Sequence, residues 1–211
     1  SDYRLDRVPI AGMAQPIEMV GHVVEPAPAA ATGPRPLVLF LHGYPSFWYQ
    51  WKDQMLEMGR DHRAVGLDMR GYNLSSRPVG LEPYKMPQLI EDVRQFAEKI
   101  TGKGKKFILV GHDWGANVAW VFAIMHPEVL EKLIIVNAHG GNVPMVDIVA
   151  RELRVKYDML AVGTAWSRFG HPDGLPSGNE SLYGIHGGEI ETSIMLHLRP
   201  DLVRMEHASD F

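Results

Sequence analysis

Residues 107–117 read Phe-Ile-Leu-Val-Gly-His-Asp-Trp-Gly-Ala-Asn, and no other stretch of the chain constrains its fold as strongly. A short apolar run opens the stretch and predicts a buried strand, and an amphipathic helix is expected to follow it. Gly111 and Gly115 permit a sharp turn between the two, which lifts the side chain of Asp113 above the end of the sheet. An Asp that faces the positive end of a helix stays ionised and can attack carbon. The alternative is that Asp113 only caps the helix, because Asp is favoured at that position.

The same pattern of a short apolar strand followed by a helix recurs along the chain. This alternation predicts an α/β fold, a three-layer αβα arrangement in which a doubly wound, mostly parallel sheet lies between helices. Because crossover connections are right-handed, the five core strands are expected in the order 2-1-3-4-5, with two N-terminal strands at one edge. The predicted core strands cover residues 37–41, 63–67, 107–110, 133–136 and 159–162, and the N-terminal strands cover residues 4–10 and 17–25. The length of 211 residues fits a single domain.

The composition excludes several classes of partner. Lys and Arg number 21 and Asp and Glu number 25, so the net charge of −4 gives no reason to expect nucleic acid or an anionic membrane. Cysteine is absent, no apolar run reaches the length of a membrane span and no signal peptide begins at Ser1, which allows a cytoplasmic location. The expected partner is a small-molecule substrate, and an exposed terminal helix also allows a homodimer.

Polar side chains follow several predicted strands at their carboxyl ends. His42, Asp68 and Asp113 each come directly after an apolar strand, and another such end lies at Asn137. Ligands of open α/β sheets bind beyond the carboxyl ends of the strands. These side chains are therefore expected to converge, which favours the catalytic interpretation of Asp113 over the capping one.

Several motifs in this order and spacing resemble the α/β-hydrolase family, and in particular its epoxide hydrolase and haloalkane dehalogenase group. The resemblance covers residues 37–138. The matching pieces are His42-Gly-Tyr-Pro45, Asp68-Met-Arg-Gly-Tyr-Asn-Leu-Ser-Ser-Arg-Pro78, Gly111-His-Asp-Trp-Gly-Ala116 and His126-Pro127 before 133–138.

This resemblance implies that Asp113 is a nucleophile and that the backbone N–H groups of Tyr44 and Trp114 form an oxyanion hole. A carboxylate of this kind displaces oxygen or halide from saturated carbon and becomes an ester, which water then hydrolyses. Trp48 and His42, beside the oxyanion loop, are candidates for substrate contacts. Aromatic residues that flank a core strand are more often core packing, and this is the alternative for Trp48.

After residue 138 the chain resembles a second family, the creatinine amidohydrolases, which are metal-dependent enzymes that open C–N bonds. The motifs are His139-Gly-Gly-Asn142 and His186-Gly-Gly-Glu-Ile-Glu-Thr-Ser193. By this resemblance His139 and Glu191 match metal-ligand positions and His186 matches a catalytic one. Two ligands do not make a site, since catalytic zinc takes about three protein ligands and an open position. The alternative for Glu191 is that its charge stabilises a helix start.

The chain is therefore interpreted as a hybrid, chimeric or designed, with N-terminal strands and linker (1–36), a hydrolase-like part (37–138) and a creatininase-like part (139–211). The first hypothesis is a weak or single-turnover hydrolase of the epoxide, alkyl-halide or ester type, with no cofactor, in which Asp113 acts and His139 or His186 replaces the missing base. A non-catalytic scaffold is the second hypothesis. A metal amidohydrolase that binds zinc or manganese through His139 and Glu191 is the third.

Overall fold

The computed structural model describes residues 3–11, 16–25, 35–139, 142–171, 173, 174, 176, 178–184 and 187–208. The strands are β1 (Arg4–Ile10), β2 (Ile17–Val24), β3 (Leu37–Leu41), β4 (Arg63–Asp68), β5 (Phe107–His112), β6 (Leu130–Asn137) and β7 (Leu160–Ala165). The α-helices are α1 (Lys52–Met58), α2 (Met86–Thr101), α3 (Trp114–Met125), α4 (Val143–Tyr157), α5 (Gly178–Tyr183) and α6 (Glu189–Leu198).

The described strands form one sheet in the order β1-β2-β4-β3-β5-β6-β7. β3 to β7 pair in parallel, whereas β2 pairs antiparallel with β4 and with β1. The core order of 2-1-3-4-5 and the position of the N-terminal strands at one edge are both confirmed. The last core strand was predicted over 159–162, but β7 begins one residue later and continues to Ala165 because it stays paired with β6 as far as Asn137.

The alternation of side chains along the strands builds two cores, one on each face of the sheet. Leu39 and Leu41 of β3 pack in the larger core with α2, α3 and α4. The intervening residues Val38 and Phe40 pack in a second core with Trp48, Trp51 and Met55, which come from a 3-10 turn and from α1. The sheet therefore lies between helices, as predicted for a three-layer fold.

The loop after β4 supports the end of the sheet at which the site lies. Asp68 is fully buried, and its carboxylate accepts hydrogen bonds from His22 (2.8 Å) and from the Asn73 amide (2.9 Å). The guanidinium of Arg70 pairs with Asp92 of α2, with 2.8 Å between Nε and Oδ2, and both residues are buried. The loop thus ties β4 to β2 and to α2.

The C-terminal part of the chain lies largely outside these two cores. Within the described residues, α6 has no buried side chain, and several of its apolar residues are exposed. A search of the described helices finds none with both the length and the apolar character that crossing a bilayer demands.

Candidate active site

The turn between β5 and α3 places Asp113 in an uncommon backbone conformation. Asp113 precedes α3 and has φ 51° and ψ −121°, a region that L-residues rarely adopt. A Cβ on Gly111 would come within 2.6 Å of the Gly115 carbonyl oxygen, and a Cβ on Gly115 within 2.5 Å of the Leu41 carbonyl oxygen. Both glycines are therefore required for the close approach of β5, α3 and β3. The sharp turn that the two glycines predict is present in the structure.

The carboxylate of Asp113 faces backbone N–H groups from two different elements. Its Oδ1 accepts a hydrogen bond of 2.8 Å from the N–H of Tyr44, in the loop after β3, and the N–H of Trp114 also bonds the carboxylate. Within the described helix α3, Asp113 makes no side-chain capping bond. The geometry therefore differs from that of a helix cap, and it gathers the three groups that the sequence predicts for a nucleophile and its oxyanion hole.

Two opposing effects set the charge of Asp113. Partial burial raises the pKa of the carboxyl group, but the hydrogen bonds from the N–H groups of Tyr44 and Trp114, with smaller contributions from His112 and His139, hold it below its usual value. Asp113 is thus ionised at neutral pH, while its side chain keeps 31% of its surface exposed. An ionised and accessible carboxylate is what attack on carbon requires.

His139 is the candidate base that lies beside this carboxylate. It follows β6, and its Nε2 lies 3.5 Å from Oδ2 of Asp113. Asn137 fixes the backbone of this loop, because its amide donates to the His139 carbonyl (2.7 Å) and its Oδ1 accepts from the His139 N–H (3.2 Å). The other candidate base, His186, lies outside the described residues.

His42 lies at the start of the loop after β3 and contacts backbone groups through both ring nitrogens. It is buried, its Nε2 accepts from the N–H of Met69 (3.1 Å), and its Nδ1 donates to the carbonyl of Gly43 (3.0 Å). Burial lowers the pKa of His42, so the ring is neutral. A Cβ on Gly43 would lie 2.6 Å from the Cβ of Asp113. His42 therefore positions the loop that carries the Tyr44 N–H, and both its ring nitrogens are already occupied, so the structure does not support the predicted substrate contact.

Trp48 packs in the core, and other aromatic side chains line the cleft. It is buried, and its ring stacks on His22 with 4.0 Å between centroids. This placement corresponds to the packing alternative and not to the predicted substrate contact. The described residues that line the shallow cleft over Asp113 are Tyr44, Tyr72, Asp113, Trp114 and Asn117.

Two of these lining residues were missed by sequence reasoning. Tyr72 belongs to the loop after β4, and its ring meets His42 edge to face at 4.6 Å between centroids. Asn117 lies one turn of α3 beyond Asp113, on the side that faces the cleft. The spacing of four residues was a signal that could have indicated Asn117.

The two residues predicted as metal ligands have other contacts. His139 faces Asp113, and Glu191 accepts a hydrogen bond of 2.9 Å from the N–H of Gly188 at the start of α6. In the described part of the chain, no group of three or more His, Asp or Glu side chains could hold a metal ion. The helix-start alternative for Glu191 accounts for its position, and zinc or manganese binding stays an untested prediction.

Parallel strands, a glycine-flanked turn after β5 and an ionised carboxylate beside two N–H donors are features of one class of protein, the α/β hydrolases. Residues 36–165 match the family model described as alpha/beta hydrolase fold. The chain belongs to this family.

Its relatives within the family are epoxide hydrolases. The chain is 42% identical to mouse epoxide hydrolase 4 over 109 residues, which are 52% of this chain and 30% of the relative. It is 47% identical to epoxide hydrolase 1 of Caenorhabditis elegans over 104 residues, 49% of this chain and 25% of the relative. A crystal structure of an epoxide hydrolase mutant from Bacillus megaterium superimposes with a TM-score of 0.55 at 34% identity, over 72% of this chain and 46% of that one. The chain thus spans about a third or less of the length of these curated relatives.

A second family model, creatinine amidohydrolase, matches residues 120–211. The hybrid interpretation of the sequence is therefore supported. The two matches overlap from residue 120 to residue 165, a segment that includes β6, α4 and β7. The predicted boundary between residues 138 and 139 lies within this overlap and stays a prediction.

Proposed function

We propose that the protein is a hydrolase-like enzyme in which a small epoxide or alkyl halide alkylates Asp113. The resulting ester is then hydrolysed slowly. The observation that carries this proposal is that the two oxygens of the Asp113 carboxylate have different surroundings. Oδ1 lies against the N–H of Tyr44, whereas Oδ2 faces His139. The family model that matches residues 36–165 covers Asp113, and the relatives include proteins named as epoxide hydrolases, which supports the same chemistry.

The alkylation step follows from this geometry. Oδ2 attacks a saturated carbon and forms a C–O bond, while the bond from that carbon to the epoxide oxygen or to the halide breaks. The bonding electron pair leaves with the halide, or with the epoxide oxygen, which takes a proton from water. Oδ1 becomes the carbonyl oxygen of the new ester and already lies at the N–H donors, which then stabilise the oxyanion of the hydrolysis step.

Hydrolysis of the ester is expected to be the slow step. A water that bridges two groups needs them roughly 4.5 Å apart, because each of its hydrogen bonds spans about 2.8 Å and the two bonds meet at about 105°. Nε2 of His139 lies only 3.5 Å from Oδ2 of Asp113, so the ring contacts the carboxylate directly. His139 must move away before it can take a proton from an attacking water. The ester is therefore expected to accumulate, which makes the reaction weak or single-turnover.

Intact-mass spectrometry with propylene oxide tests the proposal. The parent protein should gain one adduct, and proteolysis should locate it on Asp113. Asp113→Asn keeps the shape of the side chain and should remain unlabelled, whereas the matched control Asp53→Asn removes an exposed carboxylate on α1 and should label as the parent does. An unlabelled parent, or equal labelling of Asp113→Asn, would refute the enzymatic proposal and favour the non-catalytic scaffold.

We also propose that the chain is chimeric or designed. Two family matches that meet within one sheet support this origin. Both parent patterns pass from strand to loop to helix at the same edge of the sheet, so a join after β6 preserves the strand order. The match to creatinine amidohydrolase does not support a second proposed function. Glu191 accepts a hydrogen bond at the start of its own helix and, among the described residues, is not part of a set of metal ligands.

A further inference from the structure

A cavity of about 270 Å³ opens from the Asp113 carboxylate into the space between α3, α4 and the sheet. Its polar lining residues are Asp113, Asn117, Asn137, His139 and Asn142. Its other walls are largely apolar and come from α3, α4, β6 and β7. They include Trp120, Leu133, Ile135, Val146, Val149 and Ala161.

We infer that this cavity receives the apolar part of the substrate while the reactive carbon stays at Asp113. The inference rests on the proposed function and adds the substrate class: terminal epoxides or halides that carry an alkyl chain or a small ring system. Ligand pockets usually measure about 300–1,000 Å³. The cavity volume of about 270 Å³ lies just below that range and accommodates a chain or ring of modest size.

The position of the cavity fixes the direction in which a substrate lies. Asp113 lines both the shallow cleft and this cavity, so a molecule with its reactive carbon at Oδ2 can extend inward along α4. The cleft on the other side is bordered by Tyr44 and Trp114, which are exposed. An apolar group loses more contact with water in the cavity than in the cleft, and this burial is the driving force for the inward orientation.

The test compares labelling of Asp113 by two terminal epoxides, propylene oxide with a short tail and octene oxide with a long one. Each buried methylene multiplies labelling efficiency by about three- to fourfold, so octene oxide should label the parent at least about fiftyfold more efficiently than propylene oxide. Val149→Phe fills the cavity from α4 and should remove at least about nine-tenths of the octene oxide rate while leaving the propylene oxide rate within about twofold. Ile148→Phe is the matched control on the exposed side of α4 and should leave both rates unchanged.

A parent that shows no preference for octene oxide, or a Val149→Phe variant that keeps the parental preference, would overturn the inference.

A binding measurement separates this inference from the proposed function. Octanediol, the unreactive hydrolysis product of octene oxide, should bind the parent and Ile148→Phe but not Val149→Phe in equilibrium dialysis. Binding with this pattern and no labelling by any epoxide would leave the cavity assignment standing and reject the catalytic role of Asp113. Labelling by propylene oxide together with equal binding of octanediol by all three proteins would reject the cavity and keep the catalytic role.

Discussion

Replacing Gly115 with alanine sets two physical effects against each other at the turn that carries the nucleophile. Gly115 lies in the first turn of α3, where alanine alone would stabilise a helix by about 1 kcal/mol. A Cβ at this position would, however, come within 2.5 Å of the carbonyl oxygens of both Leu41 and His42. These are backbone atoms at the end of β3, so they cannot rotate out of the way.

The magnitudes decide the sign of the effect. A carbon–oxygen contact normally spans about 3.3–3.6 Å, so the added Cβ overlaps each oxygen by roughly 1 Å. Overpacking of this kind costs about 1–3 kcal/mol, and the rigid neighbours of Gly115 place it at the upper end. After the gain in helix propensity is subtracted, Gly115→Ala should lower the free energy of unfolding by about 2 kcal/mol. In a chain of this length that corresponds to a fall in Tm of about 4–8 °C.

Urea denaturation and the labelling rate measure the two consequences separately. The end of β3 leads directly into the loop that brings the Tyr44 N–H to Asp113, so relief of the clash displaces that donor. A displacement of about 1 Å costs about a hundredfold in a well-positioned reaction, and the labelling rate of Gly115→Ala should fall at least tenfold. Gly178→Ala is the control, because a Cβ there would meet no described atom within 4 Å. A Gly115→Ala protein as stable and as reactive as the parent would refute the close-approach reasoning.

Three further predictions concern other contacts of the structure. His139→Gln should leave the first labelling step nearly unchanged but lengthen the lifetime of the adduct at least tenfold, because it removes a general base; decay at the parental rate, followed by intact mass, would contradict that role. Arg70→Met leaves the Asp92 carboxylate buried without its partner and should cost about 3–5 kcal/mol in urea denaturation, whereas a loss below about 1 kcal/mol would show that the pair does not matter to the fold. Burial raises the pKa of Asp113, but the hydrogen bonds from the two backbone N–H donors outweigh burial and lower the folded-state pKa below the unfolded value of about 3.9. The ionised form of Asp113 therefore contributes stability above the unfolded pKa, and this contribution disappears as the pH falls through the lower folded pKa. The stability gap between the parent and Asp113→Asn should therefore narrow below about pH 4, and a constant gap would argue against the shift.

The parts of the site that are local in sequence were predictable from it. Gly111 and Gly115 indicate a tight turn because only glycine tolerates such close backbone approach, and the clearances in the structure have the same cause. The order of the strands follows from alternation and from the handedness of crossovers, both of which are local rules. The Tyr44 N–H could be placed at Asp113 only through the family resemblance, because 69 residues separate the two.

The remaining features depend on packing between distant elements, which a single sequence does not reveal. Trp48 lies in the core, where His22 of β2 stacks on it, and no residue near Trp48 in the sequence indicates that contact. His42 is occupied at both nitrogens by backbone groups, one of them from Met69 after the neighbouring strand. Tyr72 reaches the cleft because its loop folds back over the sheet end. Each residue type alone fits both a buried and a functional position, and only the tertiary contacts choose between them.

If both proposals hold, the candidate site has a part that reacts and a part that recognises the substrate. The carboxylate and its N–H donors lie within residues 44–114, in the segment that only the alpha/beta hydrolase model matches. His139 and the α4 wall of the cavity lie in the segment that both family models match. Asp113 and Asn117 line both the cleft and the cavity, and neither lies on α4, so substitutions on the cavity side of α4 should change which epoxides react without changing the alkylation step itself. Retention of propylene oxide labelling by Val149→Phe is the measurement that would establish this independence, and its loss in a folded protein would mean that α4 also holds the nucleophile in place.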